Sequence, residues 1–391
     1  MIWGPNAAGK TTLLEAVVLL ALGRSHRTTT DAELIRWGES FVRLDAIVGG
    51  AEQAISSPAG LTDAPAGTRD AGVADEAGVT RAGAPSPAGS QLPIPAGVAL
   101  ELTLPAGGRK RIQVNGVPRR PSALAEHLRT VLFAPEEMLL VIGPPGLRRG
   151  ALDGLTAPHD PSYYSNISTY GRALQQRNSL LRAIREGEAD RDQLRLWDEP
   201  FLTAGASIVA ARLRVLELLS EPLAAAHREI APGEGRLAVG YASNAGPLPG
   251  EAPRDALARR LRETAEKETW NGSTLVGPHR DDLVFSLDGR DLATFSSRGQ
   301  QRTAILALKL AELDLLTELD GRPPLLLLDD VFSELDPARR GHLVRRIAEL
   351  PQAFITTTHP EDIDADLRRR ARPWQVVPDE DGGARMVEGS K

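Results

Sequence analysis

Residues 4–11 read Gly4-Pro5-Asn6-Ala7-Ala8-Gly9-Lys10-Thr11, a complete G-x-x-x-x-G-K-[ST] string. It dictates local structure. A strand must end before Gly4 and a helix must begin near Lys10, so that backbone N–H groups wrap an anion at the positive end of the helix dipole. Leu13, Leu14, Val17, Val18, Leu19, Leu20 and Leu22 make that helix apolar almost all round, so it is predicted to be buried. Gly23 supplies its stop. In this reading Gly4, Pro5, Asn6, Ala7, Ala8, Gly9, Lys10, Thr11 and Thr12 hold a nucleotide's phosphates. Lys10 reaches the β- and γ-phosphates, and the Thr11 hydroxyl sits on Mg²⁺. Only Met1, Ile2 and Trp3 precede the string. Either the strand is a stub, or the chain as given begins downstream of its natural start.

At 391 residues the chain has room for two or three structural units. Hydrophobic residues make up 41% and charged residues 25%, the proportions of an ordinary globular protein. No run of 18 apolar residues suggests a membrane span. The apolar stretch near the start carries Glu15 and lacks a cationic leader, unlike a signal peptide. The absence of cysteine excludes disulfides and thiolate metal sites and fits a reducing cytoplasm. A net charge of −6 gives no global case for nucleic-acid binding. Local clusters at Arg109-Lys110-Arg111, Arg119-Arg120, Arg148-Arg149 and Arg368–Arg372 could supply it, or could be solvated surface.

Val42–Val48 reads as a strand. Residues 50–97 are dominated by Ala, Gly, Pro, Ser, Thr and Asp, a composition that cannot offset its ordering entropy, and read as a disordered insertion. Val98, Leu100, Leu102 and Leu104 then alternate as a half-buried strand, and Arg111–Val114 leads into an Asn115-Gly116 tight turn. From about residue 160 the spacing changes. Ile167, Tyr170, Leu174, Leu181 and Ile184 form one helical stripe; Trp197, Phe201, Ile208, Leu213, Leu216 and Leu219 form another after a turn at Glu186–Asp190. Two antiparallel helices standing off a sheet make a helical arm. Strand patterns resume at Leu237–Tyr241 and Asp282–Leu287. The expected organisation is an α/β P-loop ATPase head over residues 1–145 and 233–391, split by an arm at 146–232.

The second half of the site begins where Leu325–Leu328 runs into Asp329-Asp330, a buried strand ending in two acids. Asp329 is placed to hold Mg²⁺ and Asp330 to orient or deprotonate an attacking water. Asp336 followed by Pro337 starts a further helix. Phe354–Thr358 reads as a strand delivering His359, either a γ-phosphate sensor or a solvent-exposed loop histidine. Upstream, Ser297-Arg298-Gly299-Gln300 opens a long helix and offers a second anion-binding N-terminus. One chain has no use for two γ-phosphate cradles. A head-to-tail pair does: each such helix caps the nucleotide held by the other chain, ATP is the glue of a dimer, and hydrolysis releases it.

This ordered set resembles the ABC-type ATPases of the SMC class, and within it the RecF recombination-mediator family. The specific strings are Gly23-Arg24-Ser25-His26-Arg27-Thr28, Phe133-Ala134-Pro135-Glu136-Glu137, Gln176-Arg177-Asn178, Gly277-Pro278-His279-Arg280-Asp281-Asp282, Ser297–Arg302 and Leu327–Asp336. The resemblance implies an SMC-like head with a short arm and ATP-dependent dimerisation on double-stranded DNA near single-strand gaps. It also implies cooperation with RecO and RecR in loading RecA. Carried onto this chain, Lys10 and Thr11 bind phosphate and Mg²⁺, Asp329 binds Mg²⁺, Asp330 is the catalytic carboxylate, and Ser297, Gly299 and Gln300 act in trans. ABC ATPases in general carry Glu at the second acid; Asp330 is one methylene shorter, so turnover is expected to be slow. The lid glutamine of many ABC proteins has no counterpart near Phe133–Glu137. Family members begin with strands upstream of the phosphate loop, and the expectation is that such strands are encoded upstream of Met1. Two other classes compete: the nucleotide-binding subunit of a transporter, and a non-hydrolysing scaffold that binds ATP or DNA.

Overall fold

The computed structural model describes residues 1–28, 30–49, 97–379 and 383–389. Residues 50–96, most of the segment read as an insertion, lie outside the described residues. The first part of the chain gives β1 (Ile2–Trp3), α1 (Lys10–Leu22), β2 (Phe41–Gly49), β3 (Gly97–Pro105), β4 (Arg111–Val114), β5 (Val117–Pro118), β6 (Thr130–Phe133) and the short α2 (Leu139–Ile142). Gly9 precedes α1 in the left-handed region at φ 98°, and Gly23 ends it at φ 68° with its N–H on the Leu19 carbonyl. Both are conformations that glycine adopts without strain. The strands β2, β3, β4 and β5 form an antiparallel sheet in chain order. Asn115 and Gly116, at φ 51° and 74°, make the tight turn between β4 and β5. Leu100, Leu102 and Leu104 point into the small core that this sheet shares with Leu19 and Leu20 of α1.

Next come α3 (Pro145–Thr156), α4 (Tyr163–Glu186), α5 (Arg195–Ile230), β7 (Leu237–Ala242) and α6 (Pro253–Asn271). The helices α4 and α5 are antiparallel and pack along much of their length, and α6 lies against both. Their core joins Tyr163, Tyr170, Phe201 and Ile208 to Leu257, Leu261 and Val276, so the arm's packing draws on residues well beyond 232. Leu213, expected on the apolar stripe of α5, is 43% exposed; its neighbour Arg212 takes the buried place. The stripe runs through Ile208, Ala211, Val215, Leu216 and Leu219, and position 213 lies off that line.

Two buried arginines explain why the arm is a fixed extension. Arg177 of α4 donates to Asp198 of α5 at 2.7 Å, to Glu268 of α6 at 3.2 Å and to the Thr274 hydroxyl at 2.8 Å. Arg212 donates to Asp153 of α3 at 2.8 Å, to the Tyr163 hydroxyl at 3.0 Å and to the Pro278 carbonyl at 2.9 Å. Desolvating such charges costs several kcal/mol, which the surrounding acids and hydroxyls offset only as a complete set. Residues 272–281 lead from the end of α6 to β8 through a turn at Gly277–Arg280, and Val276 joins the core of α4, α5 and α6. Gly277 sits there at φ +127°, where an added Cβ would lie 2.3 Å from the Tyr170 hydroxyl. The fully buried Asp281 accepts from the Tyr241 hydroxyl at 2.5 Å and the Asn244 N–H at 2.6 Å. Arg148 makes a bidentate pair with Asp282, and Arg149 donates to the Asp281 carbonyl. This basic cluster joins arm to head.

The remaining elements are β8 (Asp282–Leu287), β9 (Arg290–Asp291), the short α7 (Leu292–Phe295), α8 (Arg298–Asp320), β10 (Leu325–Asp329), α9 (Pro337–Ala348), β11 (Ala353–Thr357), α10 (Ala365–Arg370), β12 (Trp374–Pro378) and β13 (Ala384–Glu388). The main sheet runs β13-β12-β1-β11-β10-β6; all neighbours are parallel except β13 and β12. Only two residues form β1, yet it occupies a central place, hydrogen-bonded on both sides. The principal core lies between α8, the inner half of α5 and the strands β6, β8 and β10. Asp336 caps α9 through the N–H groups of Ala338 and Arg339, with Pro337 in the first turn as expected.

His279 makes the arm's seam sensitive to acid. Its Nδ1 lies 2.6 Å from the Tyr170 hydroxyl and its Nε2 lies 3.4 Å from the Thr274 carbonyl. Burial lowers its pKa to about 4, helped by Arg280, Arg149 and Arg177. The unfolded chain therefore takes up this proton first, near pH 6.5. The stabilisation is complete above that pH and disappears as pH falls toward 4, a loss of up to about 3 kcal/mol. Burial raises Glu268 and Asp281, which act in the opposite direction. Comparing His279→Gln with the unaltered protein in urea unfolding between pH 7 and pH 4 isolates the histidine. The variant is expected to lose less stability over that interval, and parallel pH curves would remove His279 from this role.

Candidate nucleotide-binding site

Because β1 and β10 both flank β11 in parallel, three chain segments leave the sheet at one edge: Gly4 after β1, Asp330 after β10 and Thr358 after β11. This is the carboxyl edge, where parallel sheets bind ligands. Sheet order thus brings together residues more than 300 positions apart.

The loop from Gly4 to Gly9 has the shape its sequence predicts. Ala7 and Gly9 both have positive φ, 61° and 98°, which turns the chain into a concave nest of N–H groups. Gly4 is required by crowding, since a Cβ there would lie 2.7 Å from the Val376 carbonyl oxygen of β12. Ala8 and Lys10 are buried, Gly9 and Thr11 half-buried, and Pro5, Asn6, Ala7 and Thr12 exposed. The Lys10 ammonium donates to the carbonyls of Gly4 and Pro5, each at 2.9 Å. It closes over its own loop, and a phosphate oxygen is a stronger acceptor than either carbonyl.

The acid pair is held tightly. Asp329 is 5% exposed and accepts from the Thr356 hydroxyl at 2.6 Å. Asp330 adopts φ 51° and ψ 29°, a left-handed conformation that Asp tolerates better than most residues. Its N–H donates to both the carbonyl and the hydroxyl of Thr356, each at 3.2 Å. Burial and the charge of Asp329 push the Asp330 carboxyl above its ordinary range, against the pull of Lys10. Asp330 Oδ1 is buried without a partner among the described residues.

These features fit a Mg²⁺–nucleotide complex. The described residues contain no cluster of three or more acids or histidines able to hold a metal unaided. Mg²⁺ instead binds through one or two protein oxygens together with phosphate oxygens and water. Thr11 and Asp329 would be the protein donors, and Asp330 stands next to Asp329. His359 stands two residues beyond β11, exposed, with Nδ1 at 2.9 Å from the Thr358 hydroxyl.

The Ser297-Arg298-Gly299-Gln300 segment forms a complete capping box at the start of α8. The Ser297 hydroxyl accepts from the Gln300 N–H, and the Gln300 side chain accepts from the Ser297 N–H. Ser297 and Arg298 are exposed, and beside them Phe295 is 73% exposed. Further along α8, buried Lys309 pairs with Glu137 at 2.7 Å and with Glu312 at 3.2 Å, anchoring the helix to the Phe133–Glu137 string. Arg302, Asp329, Phe133 and Pro135 line one small cavity, so that string stands beside the acid strand. A separate cleft of about 1120 Å³ lies behind α1, lined by Leu19, His26, Val42, Leu44 and Lys309.

Sequence reasoning missed Thr356. A threonine in a buried strand must find a partner, and that was the available signal. It also placed Arg148 and Arg149 among candidate DNA contacts, whereas both are committed to the joint with Asp281 and Asp282. Arg340 was read only as an arginine of the helix after Pro337; it donates to the Phe332 and Leu335 carbonyls and pins the loop that follows the acids.

Comparison with known proteins accords with this geometry. No protein-family profile matches the chain. The DNA replication and repair protein RecF of Geobacillus thermodenitrificans is 35% identical over 381 residues, covering 96% of this chain and 91% of the relative. The chain belongs to the RecF family. RecF of Chloroflexus aggregans is 38% identical over 399 residues, covering 98% of this chain and 92% of that one. Among solved structures, the recombination mediator protein RecF with ATP, described in the RecFOR pathway, superposes with a TM-score of 0.79. It is 30% identical and the match covers 99% of this chain and 90% of that structure. The α/β head split by a helical arm is therefore a RecF fold. No helix among the described residues is long and apolar enough to cross a membrane.

Asp330→Asn tests the assignment of the acids. It keeps the size of the side chain and removes the base, so ATP binding should persist while steady-state turnover falls at least ~100-fold. Turnover equal to that of the unaltered protein would take Asp330 out of catalysis.

Proposed function

We propose that this chain is an ATP-gated DNA clamp of replication and recombinational repair. Two copies close on duplex DNA when each binds ATP with Mg²⁺, near a junction with a single-strand gap. Slow hydrolysis reopens them, a switch rather than a motor. RecO and RecR are the expected partners and RecA loading the expected outcome, in keeping with the RecFOR pathway of the superposed structure. In this reading residues 1–145 and 233–391 form the head and 146–232 most of the arm.

One observation carries the dimer. Nothing inside the chain requires glycine at position 299. Its φ is not positive, it lies in the first turn of α8, and an added Cβ would meet only the Ser297 Oγ at 3.8 Å. Alanine there would favour the helix by up to about 1 kcal/mol. A glycine that costs stability and relieves no internal crowding supports close approach by something outside the chain. The exposed Ser297, Arg298 and Phe295 around it are consistent with a face covered in the working assembly. The phosphate loop supplies one wall of a nucleotide site, and this helix start supplies the opposite wall of a partner's site.

In that assembly bound Mg²⁺ would neutralise charge on the phosphates. The chain's own residues do the rest: Lys10 and the loop N–H groups orient the triphosphate, Asp329 and Thr11 fix the cation, and Asp330 accepts a proton from the attacking water. Two carboxylates placed together at the end of β10, which flanks β11 opposite the phosphate-loop strand β1, support hydrolysis over passive ATP holding, the non-hydrolysing alternative. With Arg148 and Arg149 committed, the exposed Arg109, Arg111, Arg119 and Arg120 near β4 and β5 are the stronger DNA candidates.

Two variants test this reading by light scattering and duplex-DNA binding. Lys10→Ala should lose ATP-dependent dimerisation and ATP-dependent DNA binding together. Gly299→Ala should fold as stably as the unaltered chain or more so, bind ATP as a monomer, and fail to dimerise. A chain whose mass and DNA affinity do not respond to ATP would overturn the clamp. The DNA affinity of the closed form should fall steeply with salt, as phosphate contacts require.

A further inference from the structure

We infer that Thr356, on the strand between the phosphate-loop strand and the acid strand, is a positioning residue that sets both acids at once. The inference rests on the Mg²⁺–ATP reading above and concerns how the chain prepares the cation site.

The argument starts from sheet order. In register, Thr356 lies beside Ile2 of β1 on one side and Asp329 of β10 on the other. It is fully buried, with 0% exposure, so its hydroxyl must be satisfied by protein. An N–H can only donate, so the hydroxyl oxygen accepts from the Asp330 N–H at 3.2 Å. Its single hydrogen has two acceptors within reach, Asp329 Oδ1 at 2.6 Å and the Leu328 carbonyl at 3.4 Å, and the nearer, charged carboxylate takes it. One hydroxyl therefore fixes the rotamer of the first acid and holds the backbone of the second.

Each contact restrains something costly. The Asp329 carboxylate would otherwise be free to rotate, and a cation ligand loses affinity when its supporting hydrogen bond is removed, commonly 10- to 100-fold. Asp330 sits in the left-handed region, which persists in a non-glycine residue only where its surroundings hold it. The Thr356 carbonyl and hydroxyl both receive the Asp330 N–H and supply that hold. Relaxation of φ at Asp330 would swing its short side chain away from the site. An acid one methylene shorter than glutamate reaches its target here through an unusual backbone angle, and Thr356 keeps that angle.

The test compares Thr356→Val, which preserves shape and removes the hydroxyl, with Thr356→Ser, which restores it. A fluorescent ATP analogue is titrated against the full chain with EDTA and again over a range of Mg²⁺ concentrations; turnover is followed in parallel. The valine variant should bind the analogue in EDTA as the unaltered chain does, showing an intact phosphate loop. Its half-saturating Mg²⁺ should rise about tenfold or more, with turnover lowered even at saturating Mg²⁺. Serine should recover most of both. Unchanged Mg²⁺ dependence in valine, or equal impairment in valine and serine, would overturn the role of Thr356 while leaving the ATPase reading standing. An unaltered chain that shows no Mg²⁺ effect on nucleotide binding or turnover would overturn both.

Discussion

The placement of β11 between β1 and β10 is the constraint on which the rest of the site depends. Parallel pairing on both sides brings the phosphate loop, the acid pair and the threonine run to one edge. The loop alone could bind phosphate weakly, and the acids alone would be two adjacent like charges, the charge of Asp329 raising the proton affinity of Asp330. Set side by side, the loop and the acids stand near enough for the charge of Lys10 to act on Asp330. The two residues of β1 suffice because hydrogen bonds on both flanks hold them in register.

A second polar network does for the arm what the sheet does for the site. Arg177 and Arg212 are each satisfied by groups from several elements, so no one helix of the arm can shift without exposing or orphaning a buried charge. The Gly277–Asp282 string lies along this seam and ends at the pairs made by Arg148 and Arg149. Head and arm are thereby joined through fixed contacts rather than a loose linker.

Much of this was legible in the sequence, for physical reasons that can be named. The phosphate loop, Leu325–Asp330 and Asp336-Pro337 are local devices: spacing alone dictates their backbone, and the structure reproduces each. Buried arginines were not legible. Arg212 carries the most hydrophilic kind of side chain and sits inside because partners from α3, α4 and β7 converge on it, which no window of sequence reveals; Leu213 was assigned inward in its place. The role of Thr356 was hidden for the same reason, since its partner is 27 residues earlier on a neighbouring strand. Ser297 and Gln300 read correctly as a helix start, and their mutual capping box accounts for both residues within one chain. Gly299 is the member of that group left without an internal reason, which is why it carries more weight than its neighbours.

The central claim is that a working nucleotide site is built from two chains, Gly4–Thr12 of one and Ser297–Gln300 of the other. Mixing two inactive variants tests it most directly. Lys10→Ala lacks a competent loop and Gly299→Ala lacks a competent cap, so each alone should be silent in DNA-stimulated ATP turnover. In a heterodimer the intact loop of one chain meets the intact cap of the other. Since neither variant pairs with itself, every dimer in an equimolar mixture is mixed and carries one complete site of two, so the mixture should recover up to roughly half of the unaltered activity. A mixture no more active than its components would contradict the account.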